Sequence, residues 1–163
     1  MDIAIWIFTL IATFVVTEFT AWFNHKYIMH GPLWILHKDH HKKDHNSWFE
    51  RNDLFFFFYA FLSFSFVVLW GEGFWLGLPI AIGIGLYGLA YFIVHDVFIH
   101  QRFKMFRNID NKYARGVRRA HKIHHKNINK EGGECFGMLI VPFKYFKYLI
   151  FLPVVNKITI TTF

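Results

Sequence analysis

The hydrophobic positions of this chain are grouped into long blocks, without the alternation or short period of a half-buried strand or surface helix. Three blocks are nearly continuous, and each approaches the roughly 20 apolar residues that a helix needs to cross a bilayer. They are Ile3 to Phe23, Leu54 to Trp70 and Phe74 to Val94. The pattern predicts an all-α integral membrane protein whose second and third transmembrane helices form a hairpin at Gly71-Glu72-Gly73.

A fourth apolar stretch, residues 136–155, is interrupted by Pro142, Lys144, Lys147 and Pro153. These interruptions favour an interfacial or re-entrant helix over a full span, so we expect three to four transmembrane helices. The first block lacks a basic flank and a small-residue cleavage pattern, which favours a retained helix over a secretory signal. Residues 1–163 are interpreted as a single domain, and residues 156–163 carry no functional signal.

Composition and charge agree with this membrane assignment. The chain is 55% hydrophobic, above the roughly 45–50% of soluble domains, and its one cysteine, Cys135, excludes an intrachain disulfide. The net charge is +7, with the basic residues concentrated between Lys26 and Arg51 and between Arg102 and Lys130. By the positive-inside rule, both of these segments are cytoplasmic, with the N-terminus outside. Nucleic-acid binding is disfavoured because the same basic residues already set the orientation.

The eleven histidines point most clearly to function, because ten of them form a repeated pattern. An H-x4-H pair is followed by an H-x2-H-H triplet, and both then recur. In each triplet the spacing brings the imidazoles together on a helix, whereas a spacing of five turns the members of a pair roughly 140° apart. The pairs therefore favour ligands to different metals, or a local helix break. The ten are His25 and His30; His37, His40 and His41; His95 and His100; and His121, His124 and His125.

Ten imidazoles are too many for one ion, so the pattern predicts two metal ions with about five nitrogens each in a cytoplasmic, histidine-rich helical cap. Gly31-Pro32 should end the helix of the first pair, with a short helix starting near Pro32, and Asp110 should cap a helix reaching Asn127. His45 lies outside the repeat and is interpreted as solvated. A small-residue face on the third helix favours close packing over a slot for a flat substrate. Its members are Gly77, Ala81, Gly83, Gly85 and Gly88.

Two other uses of histidine in membranes fit the pattern less well. Haem requires two axial ligands per iron inside the bundle, rather than dense triplets outside it. A metal transporter should place ionisable ligands along the membrane interior, where these blocks have few. A metal-binding protein without catalysis stays open as an alternative.

Four segments carry a family resemblance. They are HKYIMHGPLWILHKDHH from His25, FERND from Phe49, YFIVHDVFIHQR from Tyr91 and RRAHKIHH from Arg118. Over residues 20–140 the chain resembles the bacterial-type β-carotene hydroxylases of the fatty acid hydroxylase superfamily. The histidines are shared across that superfamily, so a fatty acid or sterol hydroxylase or a carotenoid ketolase is the alternative.

The resemblance implies a non-haem di-iron monooxygenase of the bacterial inner membrane, with the ten histidines as ligands. It would hydroxylate C3 of the rings of β-carotene, giving β-cryptoxanthin and zeaxanthin, with O2 and a ferredoxin-like electron donor. A strong oxidant requires iron, although zinc could occupy a purified sample.

Further residues are expected to support this site. Asp96, Asn52 and Asp53 are candidates to hydrogen-bond the ligand imidazoles, with helix capping as the alternative for the last two. A basic face could steer an acidic donor, or else contact anionic lipid. It comprises Arg115, Arg118, Arg119, Lys122 and Lys126.

Overall fold

The fold was analysed in a computed structural model that describes residues 2–43, 45–128 and 131–147. Over these residues the chain is helical and contains no strand. Three helical stretches are long and apolar enough to cross a membrane, which confirms the three predicted spans. The helices are α1 (Ile3–Phe23), π1 (Asn24–Met29), α2 (Trp34–His41), α3 (Asp53–Gly71), α4 (Gly77–Tyr91), π2 (Phe92–Ile99), α5 (Lys112–Lys126) and α6 (Lys144–Lys147).

The three long helices pack side by side with α4 in the middle, against both α1 and α3. Two small residues of α4 permit this contact. A Cβ at Gly77 would lie 2.5 Å from the Phe66 carbonyl oxygen, and one at Gly83 would lie 2.8 Å from that of Leu10. In α3 no residue is buried, and its many phenylalanines face outward, as expected when lipid is the solvent.

The first and third spans do not stop where their apolar blocks stop. α1 runs directly into π1, and α4 runs directly into π2, so each helix carries its histidine pair beyond the apolar block. The short helix expected near Pro32 is α2, which begins at Trp34. In α5 the capping residue is Asn111 and not Asp110, because the Asn111 side chain accepts a hydrogen bond from the Ala114 N–H at 2.8 Å.

The segment after α5 differs from the helix predicted for residues 136–155. The backbone from Phe136 to Val141 is not helical, and the helix α6 begins only at Lys144; residues 148–163 lie outside the described part of the chain. The cause is Glu18 of α1, whose carboxylate accepts the backbone N–H groups of Met138, Leu139 and Ile140 at 3.0 to 3.2 Å. A helix could not donate these N–H groups to its own carbonyls and to Glu18 at once.

We expect Glu18→Ala to destabilise the fold, because it leaves these N–H groups and the Tyr87 hydroxyl, which donates to Glu18 at 2.7 Å, without their acceptor. An unsatisfied buried polar group costs about 1–3 kcal/mol, and a total loss near 3 kcal/mol lowers the melting temperature by roughly 6–12 °C. Thermal unfolding in detergent measures this change. Glu72→Ala, at the exposed hairpin, is the control, and equal melting temperatures for the two variants would contradict the anchoring role.

Candidate metal centre

Nine of the ten repeated histidines lie in two clusters within the described residues. In each cluster one ring nitrogen from every member lies within 4.8 Å of all the others. The first cluster contains His25, His30, His37, His41 and His124, and the second contains His40, His95, His100 and His121. Seven of these nine are buried. The two halves of the sequence repeat therefore meet at one place, as the repeat predicts.

The π-helices explain how each H-x4-H pair converges. In π1 the His30 N–H donates to the His25 carbonyl at 3.0 Å, and in π2 the His100 N–H donates to the His95 carbonyl at 2.8 Å. This i to i+5 hydrogen bond closes a wider turn than that of an α-helix and brings the fifth residue back to the same face. The sequence left two alternatives for each pair, ligands to different metals or a local helix break, and the π turns agree with the second.

The triplets are divided between the clusters in a reciprocal way. His40, the middle member of the triplet on α2, joins the cluster of the second pair, while its neighbours His37 and His41 join that of the first. On α5 the middle member His124 joins the first cluster and His121 the second. Each short helix therefore contributes to both clusters, which ties the two together.

The rings are related by an approximate two-fold symmetry that also places His125. The rings of His41 and His125 stack with their centroids 4.4 Å apart. The symmetry axis would pass between these two rings. The distance from His30 to His41 is 4.8 Å and from His100 to His125 is 5.0 Å. Both His41 to His124 and His40 to His125 measure 4.9 Å. His125 thus occupies the position in the second half that His41 occupies in the first.

The hydrogen bonds of the first cluster fix which nitrogen is protonated in four of its five rings. The Nδ1 atoms of His25, His30 and His124 lie 2.8, 2.9 and 3.0 Å from backbone carbonyl oxygens of residues 136, 128 and 134. The Nδ1 of His37 lies 2.7 Å from the Asn52 side-chain oxygen. Oxygens of this kind only accept, so each Nδ1 donates and each Nε2 presents its lone pair.

Those lone pairs point at one another. The Nε2 of His37 lies 3.0 Å from the Nε2 of His25 and 3.0 Å from that of His41, and the Nε2 atoms of His30 and His124 are 3.3 Å apart. Facing lone pairs at this distance repel unless a cation lies between them. Nitrogen donors arranged in this way fit a metal ion, and the outer hydrogen bonds hold the rings in the required tautomer.

In the second cluster, carboxylates take the place of the carbonyls. The Nδ1 of His40 lies 3.0 Å from Glu50, and that of His95 lies 3.3 Å from Asp96. The Nε2 atoms of these two rings are 3.1 Å apart. Arg102 contacts both carboxylates, at 3.1 Å to Glu50 and 3.2 Å to Asp96. A positive group therefore holds the two acceptors in place.

Burial lowers the pKa of several of these imidazoles below the physiological range. Loss of hydration, reinforced by the neighbouring rings, lowers the pKa of His124 to about 3 and that of His125 to about 4. It also lowers the pKa of His37, His40 and His121 well below the usual value. Neutral imidazole is the form that coordinates metals, so protons do not compete for the lone pairs near pH 7.

Comparison with known proteins agrees with the geometry. The family model for fatty acid hydroxylases matches residues 10–148. The chain belongs to the fatty acid hydroxylase family. It is 40% identical over 139 residues to a β-carotene hydroxylase of a Paracoccus species, covering 82% of each chain. It is also 40% identical over 142 residues to that of Pantoea ananas, covering 85% of this chain and 80% of the relative.

A plant relative covers a smaller part of its own length. The chain is 35% identical over 132 residues to the chloroplastic β-carotene 3-hydroxylase 1 of Arabidopsis thaliana, covering 77% of this chain and 41% of that protein. No solved structure gave a significant match.

The sequence identified some of the supporting residues of this hydroxylase-family site and missed others. Asn52 and Asp96 contact ligand candidates, and the Asn52 side chain makes no capping hydrogen bond to α3. Asp53 instead accepts hydrogen bonds from Arg102 and from the Glu50 N–H. Glu50 itself was missed, although its place in the FERND segment beside Asn52 was a usable signal.

His45 was expected to be solvated, but its side chain is only 25% exposed and lies 3.3 Å from the carboxylate of Asp39. That buried carboxylate also accepts the Arg51 N–H at 2.7 Å. His45 therefore helps to hold the loop after α2 and belongs to neither cluster.

A cavity opens beside the clusters, between α1, α3 and α4. Its wall includes His25 of the first cluster, together with Asn52 and Asp96, which contact His37 and His95. Aromatic and other apolar side chains of the three spans form most of the remaining wall. The cavity therefore borders the first cluster directly, through His25, and borders the second cluster through Asp96, which contacts His95.

Proposed function

We propose that this protein hydroxylates the rings of β-carotene at C3, giving β-cryptoxanthin and then zeaxanthin, with O2 at a pair of iron ions. The observation that carries the proposal is the convergence of two sets of neutral imidazole nitrogens beside an apolar cavity at the ends of the spans. Relatives that are 35 to 40% identical and bear the names β-carotene hydroxylase and β-carotene 3-hydroxylase support the substrate and the position.

All ten repeated histidines are proposed as ligands, five to each metal. His125 completes the second set, because it is the counterpart of His41 under the two-fold relation. Its Nε2 is buried with no hydrogen-bond partner among the described residues. A buried nitrogen without a partner is rare and costly, and a metal ligand role for His125 accounts for it.

Iron is proposed because breaking an unactivated ring C–H bond requires a redox-active metal, which zinc is not. The pair of irons, when bound, would activate O2 for insertion into that bond. The residues of the chain do the positioning. Asn52, Glu50 and Asp96 accept hydrogen bonds from the Nδ1–H groups of three proposed ligands. These bonds keep the coordinating Nε2 lone pair of each ligand directed at the metal. The three ligands are His37, His40 and His95.

The substrate ring is proposed to bind in the cavity that His25 lines, reaching it from the bilayer between the spans. Phe136 closes the cavity over the first cluster, since its ring packs at 5.5 Å from that of His25 and 5.1 Å from that of His124. An apolar wall of this kind excludes water from the reacting carbon and binds a hydrocarbon ring without requiring polar groups on it.

The electron donor is proposed to be a ferredoxin-like protein that approaches α5 from the cytoplasm, with the protein in a bacterial inner membrane. Four of the five residues of the basic face are exposed: Arg115, Arg119, Lys122 and Lys126. Arg118 is occupied in packing, since its guanidinium lies 4.0 Å from the centroid of the Phe98 ring and donates to the loop carbonyls of Phe106 and Ile109. The exposed cations suit an acidic protein, and membrane lipids would contact the rest of the basic surface.

Expression in a bacterial host that accumulates β-carotene tests the proposal. We expect zeaxanthin, with β-cryptoxanthin as the intermediate, in pigment chromatography, and about two irons per chain in anaerobically reconstituted protein. Ketocarotenoids would indicate a ketolase instead. Unchanged pigment together with oxidised fatty acids or sterols would indicate a lipid hydroxylase, and bound metal with no product under any electron donor would indicate a metal-binding protein without catalysis.

A further inference from the structure

The cavity beside the histidines adjoins a groove between α3 and α4. The two share Phe56, Tyr59 and Gly88 in their walls, so the groove begins where the cavity ends. The volume is about 70 Å³ for the inner cavity and about 320 Å³ for the outer groove. Small-molecule sites measure roughly 300–1,000 Å³, so most of the room for a ligand lies in the groove and not beside the metals.

Two glycines of α4 keep this groove open. A Cβ at Gly88 would meet no atom within 4 Å, and a Cβ at Gly85 would meet only the Ser63 hydroxyl oxygen, at 3.7 Å. Gly77 and Gly83 of the same helix behave differently, since their missing side chains permit direct helix contact. Glycine costs about 1 kcal/mol relative to alanine within a helix, and at Gly88 no close packing against the described residues offsets that cost. Close packing therefore explains the small residues Gly77 and Gly83 of α4, but it does not explain Gly85 and Gly88.

The groove presents no free polar side chain to a ligand. Ser63, on its α3 wall, donates its hydroxyl hydrogen to the Ala81 carbonyl at 2.8 Å, and the Tyr59 hydroxyl accepts from the Asn24 amide at 2.8 Å. Phe56 and Leu89, which lie at the rim, are exposed on the surface that faces lipid. The groove therefore suits a hydrocarbon and opens towards the bilayer.

Resting on the proposed function, we infer that this groove binds the polyene chain of the carotene, while the ring occupies the inner cavity. Gly85 and Gly88 then set the width available to the chain. The α3 wall from Phe56 to Ser63 spans seven helical steps, or about 10 Å at the helical rise of 1.5 Å per residue. The groove would thus hold the part of the polyene next to the ring, and the remainder would extend into lipid.

A graded series at one position tests this inference. Gly88→Ala adds one methyl group to the groove and should lower carotene conversion about 2- to 3-fold, whereas Gly88→Leu fills the groove and should lower conversion at least about 10-fold. Gly85→Leu narrows the groove one helical turn away and should act in the same direction. Gly71→Leu, at the hairpin, also has open space around its Cβ and is the matched control.

Two further measurements separate a filled groove from a damaged fold or metal site. Iron per chain should be equal in the parent, Gly88→Leu and Gly71→Leu. Metal-free protein purified from the β-carotene host should retain carotene in the parent and in Gly71→Leu, and at least about 5-fold less in Gly88→Leu, as its absorbance reports. This retention does not depend on turnover, so it tests the groove even if the proposed reaction is wrong.

The outcomes that overturn the inference are distinct from those that overturn the proposed function. Equal carotene retention and equal conversion in Gly88→Leu and the parent would exclude the groove as the polyene site while leaving hydroxylation intact. A change in oligomeric state confined to Gly88→Leu would assign the groove to a contact between copies of the chain. A parent that retains carotene in a Gly88-dependent way but produces no hydroxylated pigment would reject the reaction and keep the groove.

Discussion

Replacing His124 with alanine is expected to remove the metal from the first cluster and to abolish turnover. His124 is fully buried and comes from α5, whereas the other members of its cluster come from π1, its C-terminal end and α2. Loss of a residue that only supports a ligand typically costs 10–100-fold in metal affinity or activity, so loss of a ligand should cost at least about 100-fold. Metal per chain by elemental analysis and zeaxanthin yield in the carotene-producing host measure the two effects.

His45→Ala is the matched control for this experiment. It removes an imidazole from the same polar region. This imidazole contacts Asp39 and is a member of neither cluster. Its metal content and zeaxanthin yield should equal those of the parent. A His124→Ala protein that keeps two metals per chain and normal yield would show that the imidazoles do not act as the ligand set proposed above.

The membrane helices were predictable because burial in lipid depends on an average property of about 20 residues. The block from Ile3 to Phe23 coincides with α1. The block that begins at Leu54 lies within α3, and the block that begins at Phe74 overlaps α4 and the start of π2. The ends of the spans were less predictable. At π1 and π2 the apolar pattern gives way to histidine, and the change from an α to a π turn leaves no signature in hydrophobicity.

The histidines that make up the site were predictable, but their division between clusters was not. A repeat that occurs twice predicted that ten residues act together, and nine of them lie in the two clusters. Which cluster receives His40 or His124 depends on how α2 and α5 cross over the ends of the spans. That is a tertiary property, and the sequence period on each helix does not specify it. The same holds for the pair His25 and His30, whose convergence requires the wider π turn.

Local rules failed where a distant side chain supplied the decisive contact. The non-helical backbone after Phe136 depends on Glu18, more than 100 residues earlier in the chain. Asn111 and Asp110 are both acceptable caps by residue type, and only the position of the Ala114 N–H distinguishes them. Arg102 was not selected because nothing in its own segment shows that Glu50 and Asp53, from another part of the chain, join Asp96 around it.

Arg102→Met is expected to weaken metal binding at the second cluster while sparing the first. The guanidinium contacts Asp53 at 2.9 Å, Asp96 at 3.2 Å and Glu50 at 3.1 Å, and its side chain is only 14% exposed. Removing it leaves three carboxylates close together without a counter-charge. Their mutual repulsion should displace the Glu50 and Asp96 carboxylates, which accept hydrogen bonds from the Nδ1 atoms of His40 and His95. The affinity of the second cluster for its metal should therefore fall about 10–100-fold.

Metal titration of the reconstituted protein distinguishes this positioning role from general destabilisation. We expect one tight and one weakened metal per chain in Arg102→Met, whereas a destabilised fold would weaken both. Arg102→Lys restores the charge but not the planar fork that reaches several carboxylates at once, so it should recover only part of the affinity. Arg107→Met removes the same charge from an exposed position on the same loop and should bind two metals tightly. If Arg102→Met and Arg107→Met titrate alike, Glu50 and Asp96 hold their histidines without help from the guanidinium.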